Sequence, residues 1–123
     1  MKLISLNVAA FEKNKTKLFD FLSKQDADIL LLQEVVRSLD SSTNLDLIKK
    51  EIIDQASPQL KNSFFAPNWV LSKFEKVSFH GKEHFLVDFG GRVEFGNYIK
   101  TKYQIVKGQN VFVQNSFTYI TDW

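Results

Sequence analysis

Two oxygen-bearing side chains, Asn7 and Glu34, stand where they would be able to share a metal ion. Asn7 follows a short apolar run that begins at Leu3, and Glu34 follows the apolar run 29–32. Each run is typical of a buried strand, so each polar residue is predicted to lie at the carboxyl end of its strand. The ends of neighbouring parallel strands emerge together, about 4.8 Å apart, at the edge where open α/β sheets bind their ligands.

The chemistry open to this pair is the binding of a hard divalent cation. Mg²⁺ takes oxygen ligands, typically one or two carboxylates completed by water and phosphate oxygens. Glu34 would supply the carboxylate, and Asn7 a neutral oxygen that orients water or a phosphate. Spacing alone leaves the ordinary alternative open, because Glu at a strand end is commonly solvated and Asn there commonly forms a turn.

The composition of the 123-residue chain excludes several other kinds of site. Cysteine is absent and there are only 2 histidines, which excludes disulfides, thiolate chemistry and multi-histidine metal sites. The net charge of +2 is too mild to indicate nucleic acid or a membrane by itself. No apolar run approaches the ~20 residues of a membrane helix, and the N-terminus lacks a signal-peptide pattern. We therefore expect a cytoplasmic protein without a membrane span.

A strand, a helix and a second strand must position the candidate pair. Apolar residues at helical spacing predict an amphipathic helix over residues 15–25, with Asn14 as its cap. A helix between two apolar strands indicates a βαβ unit, whose strands are parallel. A second helix is predicted over residues 45–56, capped by Asn44 and ended by Pro58.

The rest of the chain alternates with the period of strands. A strand over residues 63–66 is predicted to end at Pro67, and two hairpins should follow it. The predicted hairpins pair residues 70–79 with 84–89 around a turn at 80–83, and 98–105 with 110–114. There is no linker or repeat, so one domain of the α/β (α+β) class is predicted over residues 1–123.

Three segments resemble the endonuclease/exonuclease/phosphatase superfamily. Its members open with a strand ending in Asn and reach a second strand ending in Leu-Gln-Glu, and Met1–Val8 and Asp28–Val35 are similar to these. A later stretch, Phe95–Ile105, is similar to the family's Gly-Asn-Ala-Ile-Leu-Ser-Lys-Tyr-Pro-Ile strand. The resemblance implies that Asn7 is an active-site amide and that Glu34 is the metal-binding carboxylate.

The resemblance also implies a fold and an activity. The fold would be part of a two-sheet sandwich flanked by helices, of which this chain resembles the N-terminal half. The activity would be that of a phosphoesterase, nuclease-like or phosphatase-like, in which water bound to Mg²⁺ or Mn²⁺ attacks a phosphate ester. The substrate class stays open among nucleic acids, inositol phosphates and lipid headgroups.

The motifs of the family's second half have no counterpart in this sequence. These are the general base, the Gly-Asp-x-Asn segment and the terminal Asp-His pair, to which neither His80 nor His84 belongs. We therefore expect the chain to be inactive alone, or to need a partner that supplies the rest. Its open sheet should be covered by a second copy or a partner chain, or the fold should be rearranged into a compact one. The alternative is a non-catalytic remnant that serves as a binding or interaction module and has no need of a metal.

Other residues whose side chains could take part in chemistry have simpler explanations. Asp88-Phe89-Gly90 matches a kinase tripeptide, but no other kinase motif is present and a turn is expected there. The two histidines flank a predicted turn and are expected to be exposed. Lys100 and Lys102 alternate along a predicted strand, where they would either be solvated or contact a phosphate.

Overall fold

A four-stranded mixed sheet is the scaffold of the chain. The structure is a computed structural model and describes residues 1–8, 15–71, 76–79, 81–85 and 89–108. In chain order the elements are β1 (Leu3–Asn7), α1 (Lys15–Ser23), β2 (Ile29–Ser38), a 3₁₀ turn (Leu45–Leu47), α2 (Lys49–Ala56), β3 (Asn62–Leu71), β4 (Lys76–Phe79), β5 (Lys82–Phe85) and β6 (Val93–Thr101). The sheet order is β1-β2-β6-β3, and β4 pairs with β5 in a separate hairpin.

The predicted βαβ unit at the start of the chain is confirmed. β1 and β2 are parallel neighbours, in register from Leu3 opposite Ile29 to Asn7 opposite Gln33. α1 follows β1 and precedes β2, and ends two residues before the predicted limit. The predicted cap, Asn14, lies outside the described residues. β6 then runs antiparallel to both β2 and β3.

One face of the sheet carries the hydrophobic core, beneath the two helices. β2 contributes Leu30 and Leu32, which are each 1% exposed. They pack with Leu22 of α1 and Ile53 of α2 in a single cluster. Because each fully buried side chain of this size contributes about 1.5–3 kcal/mol, this face fixes which side of β2 points toward the helices.

The second helix is interrupted near its start. Asn44 caps the 3₁₀ turn as predicted, its side chain accepting a hydrogen bond from the Asp46 amide at 3.1 Å. Ile48 is extended, with φ −86° and ψ 105°, and is completely buried. The predicted helix over 45–56 is therefore a 3₁₀ turn and a shorter α-helix, because Ile48 lies in the protein interior in a non-helical conformation.

Three predicted strand limits are wrong. β3 runs through Pro67 because it is an edge strand that bulges between Pro67 and Trp69, where a missing backbone N–H is tolerated. β6 begins at Val93 and ends at Thr101, whose hydroxyl accepts from the Tyr103 amide as the chain turns out of the sheet. The predicted strand over 98–105 is thus wrong, and its partner over 110–114 lies outside the described residues.

The other predicted hairpin is confirmed over residues 76–79 and 82–85, whereas residues 70 and 71 of its predicted first strand belong to β3. β4 and β5 pair around Gly81, which has a φ of +73° that suits glycine. The predicted turn residues Lys82 and Glu83 lie in β5 rather than in the turn. None of the helices in the described ranges has the length and apolar character needed to cross a membrane.

Candidate functional site

The structure brings Asn7 and Glu34 into direct contact. The side-chain amide of Asn7, the last residue of β1, donates a hydrogen bond from Nδ2 to Oε1 of Glu34 at 2.9 Å. Both side chains are exposed to solvent. The parallel pairing of β1 with β2 brings the two residues to the same level of the sheet, because it places Asn7 opposite Gln33, the residue before Glu34. An amide and a carboxylate thus share one solvent-accessible point.

Glu34 does not end its strand, contrary to the expectation from sequence. β2 continues to Ser38, because Val35 and Val36 are both completely buried and extend the apolar run. The pairing with β6 shifts register between Leu32 and Val35, which is the mark of a β-bulge. Glu34 lies in this bulge with a φ of +56°, a left-handed conformation that non-glycine residues seldom adopt.

Gln33 ties the two strands together beside the site. Its Nε2 donates to the hydroxyl of Ser5 at 3.3 Å and to the carbonyl of Leu31 at 3.2 Å. Its carbonyl accepts from the Val8 amide at 3.0 Å, so the strand pairing extends just past Asn7. Sequence reasoning misses Gln33 as a site residue, although its place in the Leu-Gln-Glu segment is a signal that it belongs to the site.

The third segment of the family resemblance lies across from the bulge. Gly96 of β6 is the cross-strand partner of Val35, and the next residue, Asn97, is exposed. Asn97 also lines a groove of about 420 Å³ on the open face of the sheet, together with Phe64, Ala66, Ile99, Ile105, Lys107 and Gly108. The three sequence segments that carry the resemblance therefore converge on one region of the sheet.

Lys100 in β6 and Lys102, just after the C-terminal end of β6, form ion pairs away from the candidate site. Lys100 is buried and its Nζ lies 3.0 Å from Oδ1 of Asp54 on α2. Lys102 pairs with Asp28, and this hydrogen bond raises the pKa of Lys102 and lowers that of Asp28. The expectation that they are solvated or contact phosphate is wrong for Lys100, because its ammonium group is buried in an ion pair beneath the helices.

The donor set at the site suits Mg²⁺ or Mn²⁺. Within the described part of the chain, no group of three or more His, Asp or Glu side chains is arranged to hold a metal. A single carboxylate is nevertheless sufficient for Mg²⁺, which retains several water ligands and also binds substrate phosphate oxygens. Glu34 and the carbonyl oxygen of Asn7 therefore fit such an ion. His80, Asp88 and the side chain of His84 lie outside the described residues.

A comparison with solved structures identifies a protein with a similar fold. An endonuclease/exonuclease/phosphatase from Beutenbergia cavernae is similar to this chain, with a TM-score of 0.52 and 13% sequence identity. The match covers 86% of this chain and 27% of the other, so this chain spans about a quarter of that protein's length. No protein-family model and no curated protein matches the sequence. The expected mixed α/β fold of the endonuclease/exonuclease/phosphatase type is confirmed, and the roles of Asn7 and Glu34 stay predictions.

Proposed function

We propose that this chain forms the metal-binding part of a Mg²⁺- or Mn²⁺-dependent phosphoesterase active site. Glu34 would bind the cation, and Asn7 would orient the Glu34 carboxylate and the incoming phosphate. The observation that carries the proposal is the 2.9 Å hydrogen bond between these two exposed side chains. The likeness to a protein described as an endonuclease/exonuclease/phosphatase supports a phosphate ester as the substrate.

The contact between the two side chains prepares the carboxylate for its role. By donating to Oε1, Asn7 holds the Glu34 carboxylate in one orientation, so less conformational freedom is lost when a cation binds. A divalent cation at this point would stabilise the negative charge that develops on a phosphate during hydrolysis. Because both residues are exposed, a phosphate ester has access to them from solvent.

The general base and further phosphate contacts are expected from polypeptide beyond the described residues. The chain spans 27% of the protein with the similar fold, which leaves room for such groups in a longer or complemented protein. We therefore propose that hydrolysis requires the chain to be joined to, or complemented by, that additional polypeptide.

Hydrolysis by the protein in its native form tests the proposal. A panel of a DNA duplex with an abasic site, an inositol polyphosphate and a sphingomyelin vesicle distinguishes the three substrate classes. We expect Mg²⁺-dependent release of product from one of them, and a loss of about 10²-fold or more in Glu34→Gln. Asp20→Asn, an exposed acidic residue of α1, is the matched control and should keep full activity. Full activity in Glu34→Gln would exclude the proposal.

A second candidate function is a non-catalytic binding module. The absence of a multi-residue acidic cluster from the described ranges is the observation that favours it. The two functions differ in their need for a metal, because a binding module has no use for a cation at Glu34. A protein that binds neither Mg²⁺ nor Mn²⁺ at this residue would support the binding module.

A further inference from the structure

We propose that Gly96 is a positioning residue for the candidate metal site. The lack of a side chain at this point of β6 lets β-bulges in both neighbouring strands meet at one level of the sheet, and the bulge in β2 turns Glu34 toward Asn7. This inference rests on the proposed function in one respect, the reaction that Glu34 is proposed to serve. The position of the Glu34 carboxylate itself is measurable without a metal.

Simple alternation along β2 would put Glu34 on the wrong face. Leu30 and Leu32 point to the buried face beneath the helices, and residue 34 would follow them in a regular strand. The bulge adds one residue, so that Val35 takes the buried position instead. Glu34 is left exposed, on the face that carries Asn7. Without the bulge, the carboxylate would be buried among apolar side chains at a large desolvation cost.

A second bulge lies on the other side of β6 at the same level. In β3 the register shifts between Pro67 and Trp69, and Asn68 is passed over in the pairing. Pro67 is the partner of Gly96 on this side, as Val35 is on the other. The two register shifts therefore flank one glycine, and a β-bulge bends and twists the strand that carries it.

The space at Gly96 does not accommodate a side chain. A Cβ added to this buried residue would lie 2.2 Å from the backbone carbonyl oxygen of Ala66, and 2.8 Å from the ring of Phe65. The nearest atom belongs to the backbone of β3, so no rotation of a side chain relieves the overlap. Even alanine at position 96 must therefore separate β6 from β3.

The displacement would reach Glu34 through the central strand. β6 is bonded to β2 on its other side, and the Val35–Gly96 pair lies immediately after the bulge. We expect a shift of β6 at residue 96 to change the register step in β2 that holds Glu34 in its left-handed conformation. The Glu34 carboxylate would then lose its contact with Asn7.

The side-chain amide signal of Asn7 in a ¹⁵N-correlated NMR spectrum reports this contact. In the parent chain, Glu34→Gln should move the signal, because it replaces a charged acceptor by a neutral one. In Gly96→Ala, the same Glu34→Gln change should leave the Asn7 signal unmoved while the amide dispersion of a folded protein persists. A Gly96→Ala protein in which the signal still moves would overturn the inference.

Deletion of Asn68 keeps the inference testable if Gly96→Ala does not fold. Asn68 is exposed on an edge strand, and removing it restores regular pairing in β3 without touching β2. In the Asn68 deletion we also expect the Asn7 signal to lose its response to Glu34→Gln. A response that persists would contradict the proposed coupling of the two bulges through Gly96. Gly81→Ala strains a hairpin glycine and should leave the response intact.

The readout separates this inference from the proposed function. A parent chain in which the Asn7 signal responds, but which neither binds metal nor hydrolyses a phosphate ester, would exclude the function and leave the role of Gly96 standing. A parent chain without any response would overturn the inference itself.

Discussion

Among the described residues, Glu34 combines the candidate ligand group with a left-handed backbone conformation. Its φ of +56° is the only positive value found there for a residue other than glycine. Left-handed conformations of ordinary residues cost about 1–2 kcal/mol and persist where the surrounding structure imposes them, often at functional sites. The strain at this residue is therefore the expected cost of turning its carboxylate toward Asn7.

Two substitutions at Glu34 isolate this backbone cost. Both Glu34→Gly and Glu34→Ala remove the carboxylate, but only glycine adopts a positive φ freely. We expect Glu34→Gly to be more stable than Glu34→Ala by about 1 kcal/mol in urea unfolding. At Ser5, an exposed strand residue without a positive φ, alanine should instead be the more stable of the two. Equal stabilities at position 34 would contradict the bulged geometry.

The sequence alone predicts the meeting of Asn7 and Glu34 but not how it is achieved. Both residues follow apolar runs in a βαβ pattern, and parallel strands bring such positions together. The bulge escapes prediction because it depends on pairing with β6, a strand that is distant in sequence. Likewise, nothing local marks Gly96 as a point of close approach to Ala66, which only the assembled sheet shows.

At the level of elements, Asp54 connects α2 to the sheet through hydrogen bonds with residues of β6. Its Oδ1 accepts from the hydroxyl of Tyr98 at 2.7 Å and from Nζ of Lys100 at 3.0 Å, and its Oδ2 from Nζ of Lys50 at 2.7 Å. Burial would raise the pKa of Asp54, but hydrogen bonds from these three donors outweigh it and hold the pKa below its usual range. Burial also raises the pKa of Tyr98, so this hydroxyl remains a donor.

Removing Asp54 should therefore cost more than removing a surface charge. Asp54→Ala leaves the buried ammonium group of Lys100 without its carboxylate, and we expect a loss of roughly 2–3 kcal/mol in the free energy of unfolding. Lys50→Ala breaks the more exposed pair on the same helix and should cost only about 0.5 kcal/mol. Urea unfolding of both variants measures the difference, and similar losses would show that the Lys100 pair contributes little.

Asp28 joins three strand ends and makes folding sensitive to acid. The hydrogen bond from Lys102 and that from the Lys2 amide, at 2.6 Å, lower the pKa of Asp28. A lowered pKa in the folded state stabilises the protein above the unfolded value of about 3.9, and this contribution is lost as the pH falls through the folded pKa.

The acid dependence of unfolding checks this contribution. Asp28→Asn should destabilise the protein at pH 7 and flatten the decline of stability below about pH 5. Lys102→Met should flatten it too, because it removes the first cause of the lowered pKa. If stability declined at acid pH as steeply in both variants as in the parent, the Asp28–Lys102 pair would not contribute to that decline.

Element identity was more predictable than element length. The helices and the first two strands follow from hydrophobic spacing, and Asn44 from its capping chemistry. The true ends of β2, β3 and β6 depend on cross-strand pairing. Pro67 locally favours the end of a strand, but β3 continues past it because an edge strand tolerates proline next to a bulge.

For the whole molecule, the open face of the sheet is its most distinctive surface. The side chains that regular strand pairing puts on this face are uncharged, and the Glu34 carboxylate of the β2 bulge lies beside them at Asn7, whereas solvent-facing strands commonly carry charges. The register assigns to it Leu3, Ser5, Asn7, Ile29, Leu31, Gln33, Asn62, Phe64, Ala66, Asn97, Ile99 and Thr101. Among the described residues, the segment 105–108 covers part of it near Phe64.

We expect the 123-residue chain to self-associate through this open face when it is not covered by other polypeptide. Sedimentation velocity should show the mean mass rising with protein concentration, because apolar sheet surface is removed from water on association. Leu31→Lys should shift the chain toward monomer. Phe21→Lys, which adds the same charge to an exposed position on α1, should not. A parent chain that stays monomeric at high concentration would contradict this expectation.

Binding of Mn²⁺ to the full chain tests the central claim most directly. Because Mn²⁺ is paramagnetic, it broadens the NMR signals of residues close to it and leaves distant ones sharp. We predict selective broadening of the backbone amides of Asn7 and Glu34 that is reversed by excess Mg²⁺ and abolished in Glu34→Gln, while Asp20→Asn behaves like the parent. Broadening that is absent, or that persists unchanged in Glu34→Gln, would contradict a metal site at this carboxylate.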